Sequence, residues 1–323
     1  MTDFSREILQ NWQIRKSKKE KADFRARLTQ VLEEAGYKVQ VEKHKTIWAS
    51  HNVIAGDPEK ADLLLTTHYD TCAVLPFPNF ITPRNFFWYL AYQLVITFVF
   101  FTIVFGVTFG VTYGLMLVSD GAIGPAIGAL TGYAVLIFGM WWLFDGKANR
   151  HTANDNTSGV VTLVETALTL PEELRQSVCF VWFDNEERGL LGSSAFAGKH
   201  KAVKKNTLIL NFDCVGDGDS LQFFPTKQAK KDDTAKLLSQ SFLSAGEKTV
   251  EVVSGFGFYP SDQAAFRRGV GVCALKKSKF FGWYMDRIHT RRDTVLDEQN
   301  IDLLRAGAVR MVKSVVKKEE THV

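Results

Sequence analysis

Between Asn85 and Ser119 the chain carries no Asp, Glu, Lys or Arg, and after Asp120 the run from Gly121 to Phe144 is again uncharged. Each run exceeds the roughly 20 residues a helix needs to cross a bilayer. Trp88, Tyr89, Tyr92, Trp141 and Trp142 stand toward the outer ends of these runs, where interfacial aromatics belong. The competing assignment is a pair of buried core helices. It is disfavoured because soluble helices of this length keep a polar face, and these have none. The connector Ser119-Asp120-Gly121 is very short, so the two spans form a hairpin with both outer ends on one side. Those outer flanks carry Arg84, Lys147 and Arg150, whereas the tip carries only Asp120. The positive-inside rule then places the globular parts in the cytoplasm. The expected organisation is a globular segment at 1–84, a transmembrane hairpin at 85–144 and the rest of the globular domain at 145–323.

The remaining sequence reads as one substantial folded domain. Of all 323 residues, 23% are charged and 46% apolar, which excludes a disordered chain. The net charge of +4 is mild. With no zinc-finger spacing, RNA-binding signature or dense basic helix, nucleic acid is not an expected partner. Cys72, Cys179, Cys214 and Cys273 form no C-x-x-C pair and sit in or beside apolar strand-like segments. They are expected as buried free thiols rather than disulfides or thiolate ligands, which fits a reducing compartment. The polar start Met1-Thr2-Asp3-Phe4-Ser5 lacks the apolar stretch of a secretory signal.

Helical spacing of Phe24, Leu28, Val31 and Leu32 ends at Gly36, a plausible C-cap. Residues 37–42 alternate as an edge strand, 52–55 form a short strand and 61–68 a buried one. Beyond the hairpin, 157–170, 190–199, 232–245 and 298–316 read as helices. Residues 177–183, 207–212, 250–254 and 269–275 read as strands. Continuous apolar strands alternating with helices predict an α/β fold, a sheet covered on both faces, with the hairpin inserted in one of its loops.

Five polar clusters stand at strand ends or open the element that follows, where α/β folds gather ligands. The first is His68-Tyr69-Asp70. Residues two apart on a strand share a face, so His68 can bind metal while Asp70 accepts from its other ring nitrogen. The second is Ala153-Asn154-Asp155-Asn156-Thr157-Ser158-Gly159. The third, Asp184-Asn185-Glu186-Glu187, sets adjacent carboxylates at the end of a buried strand, where they repel unless cations compensate. Asn211-Phe212-Asp213 and Ile288-His289-Thr290-Arg291-Arg292-Asp293-Thr294 complete the set. Each cluster alone has an ordinary structural explanation, such as a helix cap or a solvated acidic loop. Together they supply two imidazoles and several carboxylates, a mixture that suits zinc, with cobalt or manganese as alternatives. Counting ligands for two ions lets Asp155 bridge. His68 and Asp213 then serve one ion, Glu187 and His289 the other, and Glu186 remains as general base. No H-E-x-x-H helix occurs, which argues against a single-zinc site of that type.

In this order the five clusters resemble the zinc aminopeptidase family that also contains glutamate carboxypeptidase, the transferrin receptor and glutaminyl cyclase (metallopeptidase family twenty-eight). The resemblance rests on Leu64 to Asp70, Ala153 to Gly159, Asn185-Glu186-Glu187-Arg188-Gly189-Leu190-Leu191-Gly192-Ser193, Asn211 to Gly216 and His289 to Thr294. It implies a three-layer α/β sandwich with a central mixed, mostly parallel sheet and two zinc ions on His68, Asp155, Glu187, Asp213 and His289. It further implies Glu186 as base, Asp70 orienting His68, and a cis peptide at Asp155-Asn156. Two departures stand out. The interval between the first two motifs holds the hairpin, which therefore emerges beside the site. Ser261-Asp262-Gln263 stands where many relatives have Ser-Asp-His, which puts specificity carried over from them in doubt.

The expected function is hydrolysis of N-terminal residues from peptides by a multi-pass, membrane-anchored di-zinc aminopeptidase. The rivals are a single-zinc glutaminyl-cyclase-like enzyme, a carboxypeptidase or amidohydrolase, and a non-enzymatic membrane receptor or scaffold. Peptide substrate and lipid bilayer are the expected partners, and assembly into a homo-oligomer is left open.

Overall fold

The computed structural model describes residues 1–45, 47–118 and 122–320. Helices α1 (Asp3–Asn11) and α2 (Lys18–Glu34) lead into strands β1 (Val39–His44), β2 (Ser50–Ala55) and β3 (Leu63–His68). The apolar helices α3 (Phe86–Met116) and α4 (Ile123–Asp145) follow. Then come α5 (Gly159–Thr169), β4 (Val178–Phe183), α6 (Leu191–Lys199), α7 (Lys201–Asn206), β5 (Leu208–Phe212) and β6 (Ser220–Pro225). The chain ends with α8 (Thr234–Ser241), β7 (Thr249–Val252), β8 (Gly269–Ser278), β9 (Gly282–Tyr284) and α9 (Glu298–Glu320). The predicted helix at 232–245 is shorter than expected. Strands β6 and β9 and helix α1 have no counterpart in the sequence reading. The α1–α2 break is set by Ser17, whose hydroxyl accepts from the Glu20 amide while the Glu20 carboxylate accepts from the Ser17 amide, a reciprocal cap.

The strands form one mixed sheet in the order β1-β2-β4-β3-β5-β8-β6-β7, with β9 added on β8. Its centre, β4-β3-β5-β8, is parallel. Register sets His68 opposite Phe183 and Thr66 opposite Asn211. Three strands thus end at one level, and the residues just beyond them meet.

Side chains alternate across the sheet as strand geometry requires. Phe180 and Trp182 pack on one face with Phe24, Leu28, α5 and α9. Cys179, Val181 and Phe183 pack on the other with Phe196, Ala197 and Val203. This is the expected three-layer α/β arrangement. Strand β1 is an edge, as its charged alternation predicts.

Helices α3 and α4 are about 46 and 34 Å long at the α-helical rise. Only 6% and 11% of their most apolar stretches are buried inside the protein, so they are not core helices. Both are long and apolar enough to cross a membrane. They pack on each other through Gly124, Gly128 and Gly132, the buried positions of α4. A Cβ at Gly128 would collide with Thr112, and one at Gly132 with Thr108. Small residues at every fourth position let two helices approach closely. The tip, Ser119-Asp120-Gly121, lies outside the described residues.

The base of α3 is fastened to the sheet domain. Asn85 caps it by accepting from the Trp88 amide at 3.3 Å. Phe86, Trp88, Tyr89 and Tyr92 meet Phe256, Phe281, Phe258 and Phe80 at ring separations of 5.9, 5.2, 5.5 and 5.8 Å.

Candidate active site

All five clusters converge at the C-terminal ends of β3, β4 and β5. His68 is the last residue of β3 and Asp184 to Glu187 follow β4. Asp213 follows β5, Asp155 lies in the irregular turn before α5, and His289 lies between β9 and α9. Asn185, Cys214 and His289 hold left-handed backbone angles (φ 58°, 56° and 57°). Such angles are costly for residues with a side chain and cluster where geometry is imposed by function. The peptide Asp155-Asn156 is cis, as the resemblance implies.

The side chains form two groups that share Asp155. In the first, His68 Nε2 stands 3.6 Å from Asp155 Oδ1 and 3.5 Å from Asp213 Oδ1. In the second, His289 Nε2 stands 2.9 Å from Asp155 Oδ2 and 3.3 Å from Glu187 Oε2. Thus one oxygen of Asp155 faces each imidazole. Ligand atoms within each group lie within 4.8 Å of one another. The first group is fully buried, whereas His289 and Glu187 keep 26% and 11% of their side-chain surface exposed.

A second set of side chains holds these in place through backbone amides. The sequence reading has Asp70 accept from His68. In the structure His68 Nδ1 lies 3.1 Å from the Asp70 main-chain oxygen and 3.6 Å from its carboxylate Oδ1, so the carbonyl is the nearer acceptor. The Asp70 carboxylate accepts instead from the amides of Glu186 at 3.0 Å and Glu187 at 3.2 Å. Asp293 does the same for the second cluster, accepting from the amides of Asn154 at 2.7 Å and Asp155 at 2.9 Å. Asn154 Oδ1 accepts from Gly216 and Asp217, and Asn156 Oδ1 from Gly159 and Cys214. The second and fourth clusters are therefore laced together, which explains why short polar residues occupy 154, 156 and 158. Gln263 is buried and turned inward, donating to the Tyr259 carbonyl at 2.6 Å. Tyr259 in turn donates to the Asp213 carbonyl at 3.1 Å. In this chain the 259–263 loop buttresses a site residue.

Sequence reasoning missed three contributors. Asp293 was visible only as part of a motif. Arg15 is wholly buried, donating to the Tyr69 carbonyl at 2.5 Å and to Thr157 Oγ1 at 3.2 Å. Burial lowers its pKa to about 10, with Asp70 and Asp155 opposing that drop. Cys72 is free and buried, as expected, yet it belongs to the group with Asp155, Glu187 and His289. Its position two residues after Asp70 is the signal that was available.

The electrostatics are those of an anion-rich cavity. Burial raises the Glu187 pKa to about 8, His289 lowering it and Asp155 adding to it. Burial raises Asp293 to about 8, with Asp155 adding. Burial alone lowers the His289 pKa, but Glu187 and Asp155 outweigh it and lift it to about 9. Glu186 is pushed well above the ordinary carboxylate range by burial, with His68 opposing and Glu187, Asp213 and Asp262 adding. Glu187 Oε1 is buried with no hydrogen-bond partner among the described residues. Carboxylates crowded around imidazoles, one oxygen unpartnered, fit divalent cations by donor type and spacing.

A profile of peptidase family M28 matches residues 144–312. Solved structures share the fold over nearly the whole chain. Glutaminyl cyclase from Porphyromonas gingivalis superposes with a TM-score of 0.60 at 16% identity, covering 97% of each chain. The LapA aminopeptidase of Legionella pneumophila gives 0.54 at 15% identity, over 96% of this chain and 67% of that one. A leucine aminopeptidase precursor from Bacteroides thetaiotaomicron gives 0.55 at 15% identity, over 96% of each. At such identities the likeness establishes the fold alone. No curated protein sequence matches.

Proposed function

The chain belongs to peptidase family M28, and on that premise we propose that it is a membrane-anchored aminopeptidase that uses two zinc ions to release N-terminal residues from peptides. One observation carries the reading: Asp155 turns one carboxylate oxygen toward His68 and the other toward His289. That is what a residue shared by two cations must do. His68 and Asp213 complete one set, Glu187 and His289 the other.

When bound, the cations would supply Lewis acidity toward the scissile carbonyl. Glu186 is the proton carrier, taking a proton from the attacking water and giving it to the leaving amine. Burial raises its pKa above the ordinary carboxylate range, the direction that helps a carboxylate accept a proton and then return it. Asp70 accepts from the amides of Glu186 and Glu187 together, so it keeps the base and a ligand in fixed relation. Asp293 holds Asp155 likewise. Arg15 supplies buried positive charge behind Asp70 and Asp155.

Helices α3 and α4 form the membrane hairpin at 85–144, flanked by the two parts of the peptidase domain, 1–84 and 145–323. Arg84, Lys147 and Arg150 beside its base support a cytoplasmic catalytic domain. A second reading, cyclisation of N-terminal glutamine at a single zinc, is raised by the shared fold with glutaminyl cyclases.

A substrate panel on purified, detergent-solubilised protein tests both. The aminopeptidase reading expects turnover of free-amine substrates and none of N-blocked ones, with loss on chelation and recovery on adding zinc. Cyclisation of glutaminyl peptides without hydrolysis would replace it with the second reading. No turnover by metal-loaded protein would leave a non-catalytic scaffold.

A further inference from the structure

A cavity of about 280 Å³ runs from Glu187 and His289 to the base of the hairpin. Leu75 and Phe77, from the loop after β3, line one wall. Ile96 of α3 and Leu143 and Phe144 of α4 line the other. The walls are held firmly. The Leu75 amide donates to the His289 carbonyl at 2.8 Å, and the Val74 amide to the Lys147 carbonyl at 2.9 Å. Tyr92 also donates to the Pro78 carbonyl. Asn79 and Gln93 add uncharged polar groups, and among the described residues the only ionisable group in the lining besides Glu187, His289 and Cys72 is the Tyr92 phenol. Its volume lies near the lower end of the roughly 300–1,000 Å³ of small-molecule sites, enough for a residue or two and too small for a folded partner.

We propose that this cavity receives the side chain of the substrate's first residue, and that the hairpin is therefore a specificity element as well as an anchor. The class selected is apolar N-termini such as Leu, Phe or Met. Leu75, Phe77, Ile96, Leu143 and Phe144 offer apolar surface, and with Glu187 committed to a cation on the proposed function no carboxylate is left to pair a basic side chain, whose burial would go uncompensated. The position also explains why the hairpin interrupts the chain between the first two clusters, since that insertion point brings α3 and α4 to the mouth of the site. The inference rests on the aminopeptidase reading, and its test keeps the two apart.

The experiment measures kcat/KM for Ala, Leu, Phe and Lys aminoacyl-coumarin substrates with full-length, metal-loaded protein in lipid nanodiscs. Wild type is expected to favour Leu and Phe over Ala and Lys by about 10-fold or more, the scale of apolar pocket discrimination. Ile96→Trp, which fills the cavity, should raise KM for Leu and Phe by about 10-fold more than for Ala, erasing the preference. Ile96→Ala cannot overfill the site and should shift preference from Leu toward Phe. Ile137→Trp, on the exposed outer side of α4, should change nothing. A flat substrate profile, or Ile96 variants that slow every substrate equally, would overturn the inference and leave the aminopeptidase standing. If metal-loaded wild type turned over none of the four, both would fall.

Discussion

In the sheet domain the carboxyl groups of Asp70, Asp155, Asp213, Asp262 and Asp293 are buried together, while in the hairpin Phe98 and Phe109 are 73% and 69% exposed. Each region departs from the pattern of a water-soluble globule, and in opposite directions. Buried charge is tolerated only when paired or bound to metal. Apolar surface of this extent occurs where another apolar phase covers it. The two regions are thus shaped for different companions, cations for one and, on the proposed reading, lipid for the other. Their junction at the foot of α3 and α4 is where the chemistry of the site meets an apolar wall.

The contrast breaks most sharply at Asp155. Asp155→Asn should strip metal, read by elemental analysis, and abolish turnover. Glu186→Gln should keep the metal and lower kcat by about 10²–10⁴, the usual worth of a general base. A Glu186→Gln protein that stayed fully active would remove that residue from the mechanism. The next largest effect tests whether the domain tolerates buried charge without cations. Lys21 donates to Asp184 and Asn185, each at 2.6 Å, with little exposure. Lys21→Met should therefore cost about 3–5 kcal/mol in chemical denaturation, because the buried Asp184 carboxylate loses its cation and keeps only the His51 amide, at 2.9 Å, as a donor among the described residues.

On the hairpin side, Gly128→Leu should cost about 1–3 kcal/mol by overpacking and weaken cysteine cross-linking between α3 and α4. Metal content should remain normal. Loss of metal in that variant would mean that the two regions are not separable.

The smallest effect is a pH dependence at the β1 edge, distant from both. Glu42 accepts from Lys199 and from His200 at 3.1 Å. Burial raises its pKa, but Lys199 and His200 outweigh burial and hold it below the ordinary 4.5. A depressed carboxylate stabilises fully above its unfolded pKa and loses that contribution as pH falls through the folded value. Glu42→Gln should therefore lower stability by about 1 kcal/mol near pH 7, and the gap to wild type should close below pH 4. A gap that widened in acid would reverse the assignment.

Much of the site was legible because its residues stand at the ends of buried strands. The apolar runs read at 61–68, 177–183 and 207–212 predict where those strands stop, with His68 as the last residue of one and Glu186, Glu187 and Asp213 following the others. The partners of Asp70 and Asp293 were not legible in the same way. Each receives two backbone amides, and an amide belongs to every residue type except proline, so no pattern of side chains announces it. Arg15 and Gln263 likewise look like surface residues until the packing around them is seen. Strand β6 escaped because its buried face includes Gln222 and it ends on Pro225, which weakens the periodic signal.

The sequence by itself determined the strand periodicity, the uncharged lengths of α3 and α4, and the stock of ligands, because these depend on neighbouring residues along the chain. Tertiary structure alone decided that the two oxygens of Asp155 point opposite ways. It also decided that Gly128 and Gly132 seat on Thr112 and Thr108, and that Ile96, Leu143 and Phe144 close a cavity beside His289. Those relations join residues far apart in sequence. They exist only once the sheet register and the helix packing fix distances that the chain leaves free.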